Sequence, residues 1–338
     1  MQDAPQPPTC YLGIDISKDH LDACRLAGGR KQRRRFKNTP AGHRRLVAWT
    51  DAPARVCLEA SGRYGLDVAL ALFEAEGTQV MVANPRAIKN FREASMRRSK
   101  TDALDADVLC EYAKRMPFEV WTPPDEATRE LQAITRRIQA LTAERAREKN
   151  RLHAHRASRM ASAVVTNDIE VNLRHLTRRI DELVRQAMKV LRQSGDLQAA
   201  YERLVSVPGI ARKSAVLLLG ELALLPEDMS VRQWVAYAGL DPKRHASGSS
   251  VEQKPRISKV GNARIRRALY MPALVAVRYD RHIGAFYEKL LARGKKPIVV
   301  IVAVMRKLLH SIYGMLKHGQ DFHGPKFYRI PGKTAAAA

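Results

Sequence analysis

The chain has 338 residues, 45% of them hydrophobic and 28% charged, which is enough apolar mass for two domains with cores of their own and excludes a disordered protein. Its 59 Lys and Arg against 34 Asp and Glu leave a net charge of +25, a field suited to a polyanionic partner, most often nucleic acid. The cysteines, Cys10, Cys24, Cys57 and Cys110, form no C-x-x-C pair, which argues against a zinc site or a disulfide framework and fits a reducing cytosol.

Residues 1–8 carry neither a basic cluster nor an apolar stretch, so no signal peptide is expected. Tyr11 to Ile16 reads as a buried strand with Asp15 inside it, an expensive placement unless the carboxylate is paired or metal-bound. Leu21 to Leu26 and Arg33 to Lys37 read as two more strands, with Gly28-Gly29 marking the turn. Residues 40–50 are helical, Arg55 to Ala60 is a fourth strand carrying Glu59 near its end, and Leu66 to Glu76 is a helix with an apolar stripe. Thr78 to Ala83 is a fifth strand, and helical pattern follows from Pro85. Three sequential strands followed by strand–helix alternation predict a mixed sheet with helices on its faces. Ser99 to Leu109 has the form of a helix start. Thr101 serves as N-cap, and Asp102 and Asp105 leave one face of the first turn. In a ribonuclease-H-type sheet the first and fourth strands are neighbours, and a late helix lays its acids over them. Asp15, Glu59, Asp102 and Asp105 would then bind Mg²⁺, a hard cation that takes oxygen ligands. Taken singly, Glu59 also suits a solvated strand end, and Asp102 and Asp105 an acidic helix cap.

Trp121-Thr-Pro-Pro124 is a linker signal. From 125 to 159 there is no Gly or Pro, and Leu131, Ile134, Ile138 and Leu141 recur at three- and four-residue steps. A second such run spans 164–193. Two long helices with narrow seams predict an antiparallel hairpin or a coiled-coil arm. Between 136 and 159 eight Lys/Arg face two Glu, which makes Arg145, Lys149 and Arg151 candidates for a phosphate backbone, with a solvated basic face as the alternative. Residues 204–219 read as helix, Pro-Gly turn, helix. Such a hairpin can offer the Gly209 backbone with Arg212 and Lys213 to a phosphate, or be an ordinary buried turn. After a short helix, 240–250 reads as a polar loop containing Ser247-Gly-Ser-Ser250, a type that is usually just flexible. Lys254, Arg256, Lys259, Arg266 and Arg267 follow it as further phosphate-binding candidates. The remainder is helical, and its longest apolar run, Ile298 to Met305, is far too short to span a bilayer.

In this order the motifs resemble the DEDD insertion-sequence transposases, described as bridge-RNA-guided DNA recombinases. The likeness runs over about 10–320. Its pieces are Tyr-Leu-Gly-Ile-Asp15, Cys-Leu-Glu59-Ala-Ser-Gly-Arg-Tyr64, Asn84-Pro85, Ser-Lys-Thr-Asp102-Ala-Leu-Asp105-Ala, Val-Pro-Gly-Ile210, Tyr237-Ala-Gly-Leu-Asp-Pro242, Ser247-Gly-Ser-Ser250, Ser258-Lys-Val-Gly261-Asn and Arg267-Ala-Leu-Tyr-Met-Pro272. The resemblance implies an α/β plus all-α architecture. Residues 1–122 would form a RuvC-like, RNase-H-like mixed-sheet domain and 123–195 a helical coiled-coil insert. A helical transposase domain with a helix-hairpin-helix-like element would occupy 196–325, and 326–338 a disordered tail. It implies that Asp15, Glu59, Asp102 and Asp105 are the carboxylate tetrad holding Mg²⁺ and that Ser247, by motif position, is the nucleophile. It implies donor and target DNA as substrates, a structured bridge RNA as guide, and a dimer assembling to a tetramer. The expected location is the prokaryotic cytoplasm, at the nucleoid and away from membrane. No catalytic position departs from the family pattern; Ala246 and Glu252-Gln253 vary beside the serine. Sequence choice delegated to RNA pairing suits a broadly basic protein with only 6% aromatic residues. Two other readings compete: a metal-dependent nuclease that cuts branched DNA with water, and a non-catalytic nucleic-acid binder.

Overall fold

The computed structural model describes residues 9–59, 62–95, 102–247 and 251–331, and for 62–63, 102–103, 243–247 and 251–255 the backbone alone. The chain divides into two compact units, Met1–Pro123 and Pro124–Ala338.

The first unit runs β1 (Cys10–Ile16), β2 (His20–Ala27), β3 (Arg30–Lys37), α1 (Pro40–Trp49), β4 (Ala54–Glu59), α2 (Leu66–Phe73), β5 (Thr78–Ala83), α3 (Pro85–Ala94) and α4 (Asp102–Arg115). Helix starts follow local chemistry: Thr39 caps α1 and Asn84 caps α3, each with proline at the first helical position. The sheet order is β3-β2-β1-β4-β5, with β1 antiparallel to β2 and parallel to β4. Alternation along the strands separates two faces. Leu12, Ile14, Leu21, Ala23, Val56 and Leu58 share a core with Leu46 of α1 and with Val68 and Leu72 of α2. On the opposite face Cys57 packs with Val108 and Leu109 of α4, and Cys24 with Ala106 and Cys110. The first and fourth strands are thus neighbours, and the late helix covers the face predicted for it. The strand over 33–37 begins earlier, at Arg30, because β3 pairs with β2 along its whole length.

The second unit opens with two 31-residue helices, α5 (Glu126–Arg156) and α6 (Ala163–Gln193). Leu131, Ile134, Ile138 and Leu141 join Leu176, Ile180, Val184 and Leu191 in one core. Arg145 Nη1 donates to Thr177 Oγ1 at 3.4 Å, and Arg156 pairs with Glu170, so the helices form an antiparallel hairpin. Then follow α7 (Gly195–Val205), α8 (Arg212–Leu222), α9 (Val231–Tyr237), β6 (Pro242–Ser247), β7 (Val251–Ile257), α10 (Ala263–Tyr279), α11 (Arg281–Ala292), α12 (Pro297–His318) and α13 (Gly324–Phe327). Among the described residues α12 is the helix long and apolar enough to cross a membrane. Val300, Val304, Leu308 and Ile312 on it lie in the core of this unit.

Two expectations are corrected. The polar stretch around 240–250 is not a plain loop: β6 and β7 pair antiparallel, Ser247 opposite Val251. The segment from 326 is not wholly a disordered tail: Phe327 is buried, Tyr328 packs on Phe286, and Lys307 lies over the rings of Phe286, Phe327 and Tyr328. Residues 332–338 lie outside the described residues, as do Thr101 and Gly248 to Ser250.

Candidate active site

Asp15 is the penultimate residue of β1 and Glu59 the last of β4. The parallel register pairs Ile14 with Leu58, so the next step sets Asp15 beside Glu59 on neighbouring strands, about 4.8 Å apart across the ladder. Both lie one residue past side chains of the α1/α2 core, and so they face α4. Antiparallel pairing sets Asp22 opposite Asp15 on the other side, and Arg35 opposite Asp22. A lateral row results: Arg35, Asp22, Asp15, Glu59. Arg35 holds Asp22 bidentately, Nε to Oδ1 at 2.8 Å and Nη2 to Oδ2 at 3.1 Å. Sequence reasoning passed over Asp22. Its signal was the register of the β1–β2 hairpin.

α4 is brought against this row by Gly13. A Cβ there would lie 2.1 Å from Cys110 N and 2.2 Å from Ala106 O, so helix and strand backbones touch with no side chain between them. Cys110 Sγ donates to the Tyr11 carbonyl at 3.3 Å, so α4 runs antiparallel to β1. One turn back from Ala106 is Asp102, and two residues on from Gly13 is Asp15, about 6 Å in either direction. The backbone of Asp102 therefore starts α4 over the Asp15 end of β1. Asp105, 13% exposed, ion-pairs with Arg92 of α3 at 3.2 Å. Asp107, on another side of α4, is 3% exposed and takes a bidentate bond from Arg33, at 2.9 and 2.7 Å. The Arg33 guanidinium holds its carboxyl down at about 2. Asp107 is thus a brace between helix and sheet. Arg92 had no signal in the sequence.

The donor set suits a hard cation. Asp15, Glu59, Asp102 and Asp105 offer only oxygen, the ligand type that a hard cation takes. Among the described residues no three acidic, His or Cys side chains converge on one point. The structure brings Asp15 and Glu59 together, engages Asp105 with Arg92, and leaves the Asp102 side chain outside the described set.

In the second unit Ser247 is the last residue of β6, paired with Val251 of β7. Of the phosphate-binding candidates, Lys149, Arg151, Arg212, Arg256, Lys259 and Arg267 are exposed. The Lys254 side chain lies outside the described set. Three others are turned inward. The half-buried Arg266 donates to the carbonyls of Ala238 at 2.7 Å and Lys259 at 3.2 Å, tying α10 to the preceding loop. Lys213 donates to Thr142 Oγ1 at 3.2 Å, and burial pushes its ammonium pKa down. Gly209, at φ +90°, presses on α10: a Cβ would lie 2.5 Å from the Pro272 carbonyl oxygen. The Pro-Gly turn is a packing joint. Arg145 is half-buried against Thr177.

A β3-β2-β1-β4-β5 sheet with acids ending its first and fourth strands is consistent with a ribonuclease-H-like domain. A transposase model of the DEDD IS110 type matches residues 12–157, and a model described as transposase, IS116/IS110/IS902 family, matches 201–288. The chain belongs to the IS110 family of insertion-sequence transposases. It is 28% identical over 320 residues to the pilin gene-inverting protein of Moraxella bovis, covering 92% of this chain and 97% of the relative. It is 26% identical to the transposase for insertion sequence element IS1328 of Yersinia enterocolitica, covering 80% and 84%. A putative transposase of Sinorhizobium fredii is 29% identical, with 75% of each chain covered.

Proposed function

We propose that this transposase cuts and rejoins donor and target DNA, using Ser247 as nucleophile and a Mg²⁺ held by Asp15, Glu59, Asp102 and Asp105. The observation that carries the metal part is the adjacent placement of Asp15 and Glu59, facing the helix that supplies the other two acids. When bound, Mg²⁺ polarises the scissile phosphate and stabilises the leaving oxygen. The chain's own residues do the rest. β1 and β4 fix two carboxylates on a rigid sheet, Gly13 lets α4 pack closely against β1, and β6 ends at Ser247. A serine hydroxyl is a weak nucleophile until a base takes its proton. Its attack exchanges one P–O bond for another, so the energy of the cut strand is kept for rejoining. The relative in Moraxella bovis is by name a gene inverter. Inversion requires the cut ends to be joined again, which hydrolysis by water does not provide. That favours the recombinase over the nuclease.

Guidance by a structured bridge RNA, and a dimer that assembles to a tetramer, complete the proposal. The net charge of +25 supports the first, and the hairpin of α5 and α6 offers a helical arm for the second. The test is a denaturing gel with labelled donor and target DNA, bridge RNA and Mg²⁺, followed by peptide mapping of any adduct. Wild type should give a protein–DNA adduct at Ser247. Ser247→Ala should lose both adduct and strand exchange while still binding nucleic acid. Cleavage by Ser247→Ala at the wild-type rate would hand the reaction to water.

A further inference from the structure

The second unit holds a carboxylate that the proposed chemistry does not use. Glu221, near the end of α8, is 1% exposed. A buried carboxylate is costly unless it is bonded. Asn262 Nδ2 donates to its Oε2 at 2.7 Å, while the Nε atoms of Arg136 and Arg264 stand off its Oε1 at 3.5 and 3.7 Å. The local packing explains why these groups meet. A Cβ on Gly220 would lie 2.2 Å from Thr135 Oγ1, so α8 crosses α5 at closest approach one residue before Glu221 and Arg136. Asn262 caps α10 by accepting from Arg264 N and Ile265 N, which sets Arg264 on the same side.

Above Glu221 opens a cleft of about 520 Å³ lined by Arg136, Tyr237, Asn262, Arg264 and Arg267. Two guanidinium groups share the carboxylate and a third, that of Arg267, lines the cleft without touching it, so the cleft carries a surplus of two positive charges. The side chains of Arg136 and Arg264 are 40% and 46% exposed, and Arg267 is exposed as well. Among the described residues no hydrogen bond engages their terminal nitrogens. A purely structural ion pair would draw one guanidinium fork onto the carboxylate at 2.7–2.9 Å. Here Glu221 instead holds two forks loosely from below and leaves their donors aimed at solvent.

We infer that this cleft takes a phosphodiester group of a nucleic-acid strand, with Arg136, Arg264 and Arg267 as donors and Glu221 as the buried brace that positions two of them. The inference rests on the nucleic-acid reading above and adds a specific phosphate seat within the second unit. Guanidinium forks match two phosphate oxygens, whereas an ammonium acts as a point charge.

The experiment measures binding of the full chain by fluorescence anisotropy from 50 to 200 mM KCl, in one arm to duplex DNA and in another to single-stranded RNA. Arg136→Ala and Arg267→Ala are compared with wild type. Each lost phosphate contact should lower the slope of log K against log salt by about 0.9 for duplex DNA or about 0.7 for a single strand. Affinity should fall roughly 5-fold or more, as for loss of a charge-assisted bond. Arg136→Ala leaves Glu221 with fewer partners and can disturb folding. Arg267→Ala removes no ion pair among the described residues, so its result stands by itself. A drop in the DNA arm assigns the cleft to DNA, and a drop in the RNA arm assigns it to the guide. Unchanged slopes in both arms for Arg267→Ala, with wild type binding normally, would overturn the cleft assignment alone. A wild type that binds neither nucleic acid would overturn the functional reading beneath it.

Discussion

Gly13→Ala is the smallest change that should separate the two halves of the proposed metal site. Replacing a strand-interior glycine by alanine ordinarily gains about 0.5–1 kcal/mol of backbone entropy. Space reverses the sign here. The new Cβ would sit 2.1 Å from Cys110 N, 2.2 Å from Ala106 O and 2.7 Å from Leu109 C, all backbone atoms that no rotamer can move. Reaching an ordinary 3.4 Å contact pushes α4 about 1.3 Å away from β1. Overpacking of this kind costs roughly 1–3 kcal/mol, which for a unit of this size lowers Tm by roughly 4–12 °C. The same shift carries Asp102 and Asp105 away from Asp15 and Glu59. A misplacement of about 1 Å at a reacting centre costs on the order of 100-fold in rate. Calorimetry and strand-exchange kinetics on the full chain read both effects. Retention of wild-type Tm and rate would refute the claim that α4 must touch β1 to build the site.

Asp107→Asn should destabilise the first unit by about 2 kcal/mol at neutral pH, because the carboxyl that Arg33 holds at about 2 lies below its usual value near 3.9. A depressed carboxylate contributes above its unfolded pKa and loses the contribution as pH falls. The gap between wild type and variant in thermal melts should therefore be full above about pH 4 and close as pH drops towards 2. Gly209→Ala should cost about 2–4 kcal/mol, from a residue forced to φ +90° and from the clash with the Pro272 carbonyl, yet leave the salt slope of DNA binding unchanged. A lowered slope with an unchanged Tm would restore the turn as a phosphate seat. Arg266→Ala should likewise lower Tm more than it lowers the salt slope, since both terminal nitrogens are spent on backbone carbonyls.

The sheet was legible because its strands carry strong period-two patterning, as in Leu12, Ile14, Val56 and Leu58, and because Asp15 interrupts an apolar run. The hairpin of β6 and β7 was not legible. Its residues, Pro-Lys-Arg-His-Ala-Ser and Val-Glu-Gln-Lys-Pro-Arg-Ile, lack apolar alternation, and pairing is a property of two segments together. Charge runs identify cations without showing where they point. Arg266 and Arg267 are neighbours in sequence, yet one is tied to carbonyls and the other is exposed. Asp22 and Glu221 were invisible for the opposite reason. Each is a single acid in an unremarkable stretch whose meaning comes from a register or a helix crossing. Phe327 and Tyr328, which both pack on Phe286, were not legible as core because they stand in a short stretch without periodic apolar pattern, ahead of four terminal alanines.

The central claim is that Asp15 and Glu59, with the acids of α4, hold the divalent ion. Its most direct measurement is a Mn²⁺ titration of the full chain bound to its DNA, followed by the loss of the free-ion EPR signal. Wild type should take up Mn²⁺ in competition with Mg²⁺. Asp15→Asn and Glu59→Gln should each lose that uptake while their circular dichroism and DNA affinity stay unchanged. Mn²⁺ uptake by both variants equal to wild type would place the metal elsewhere and contradict the account.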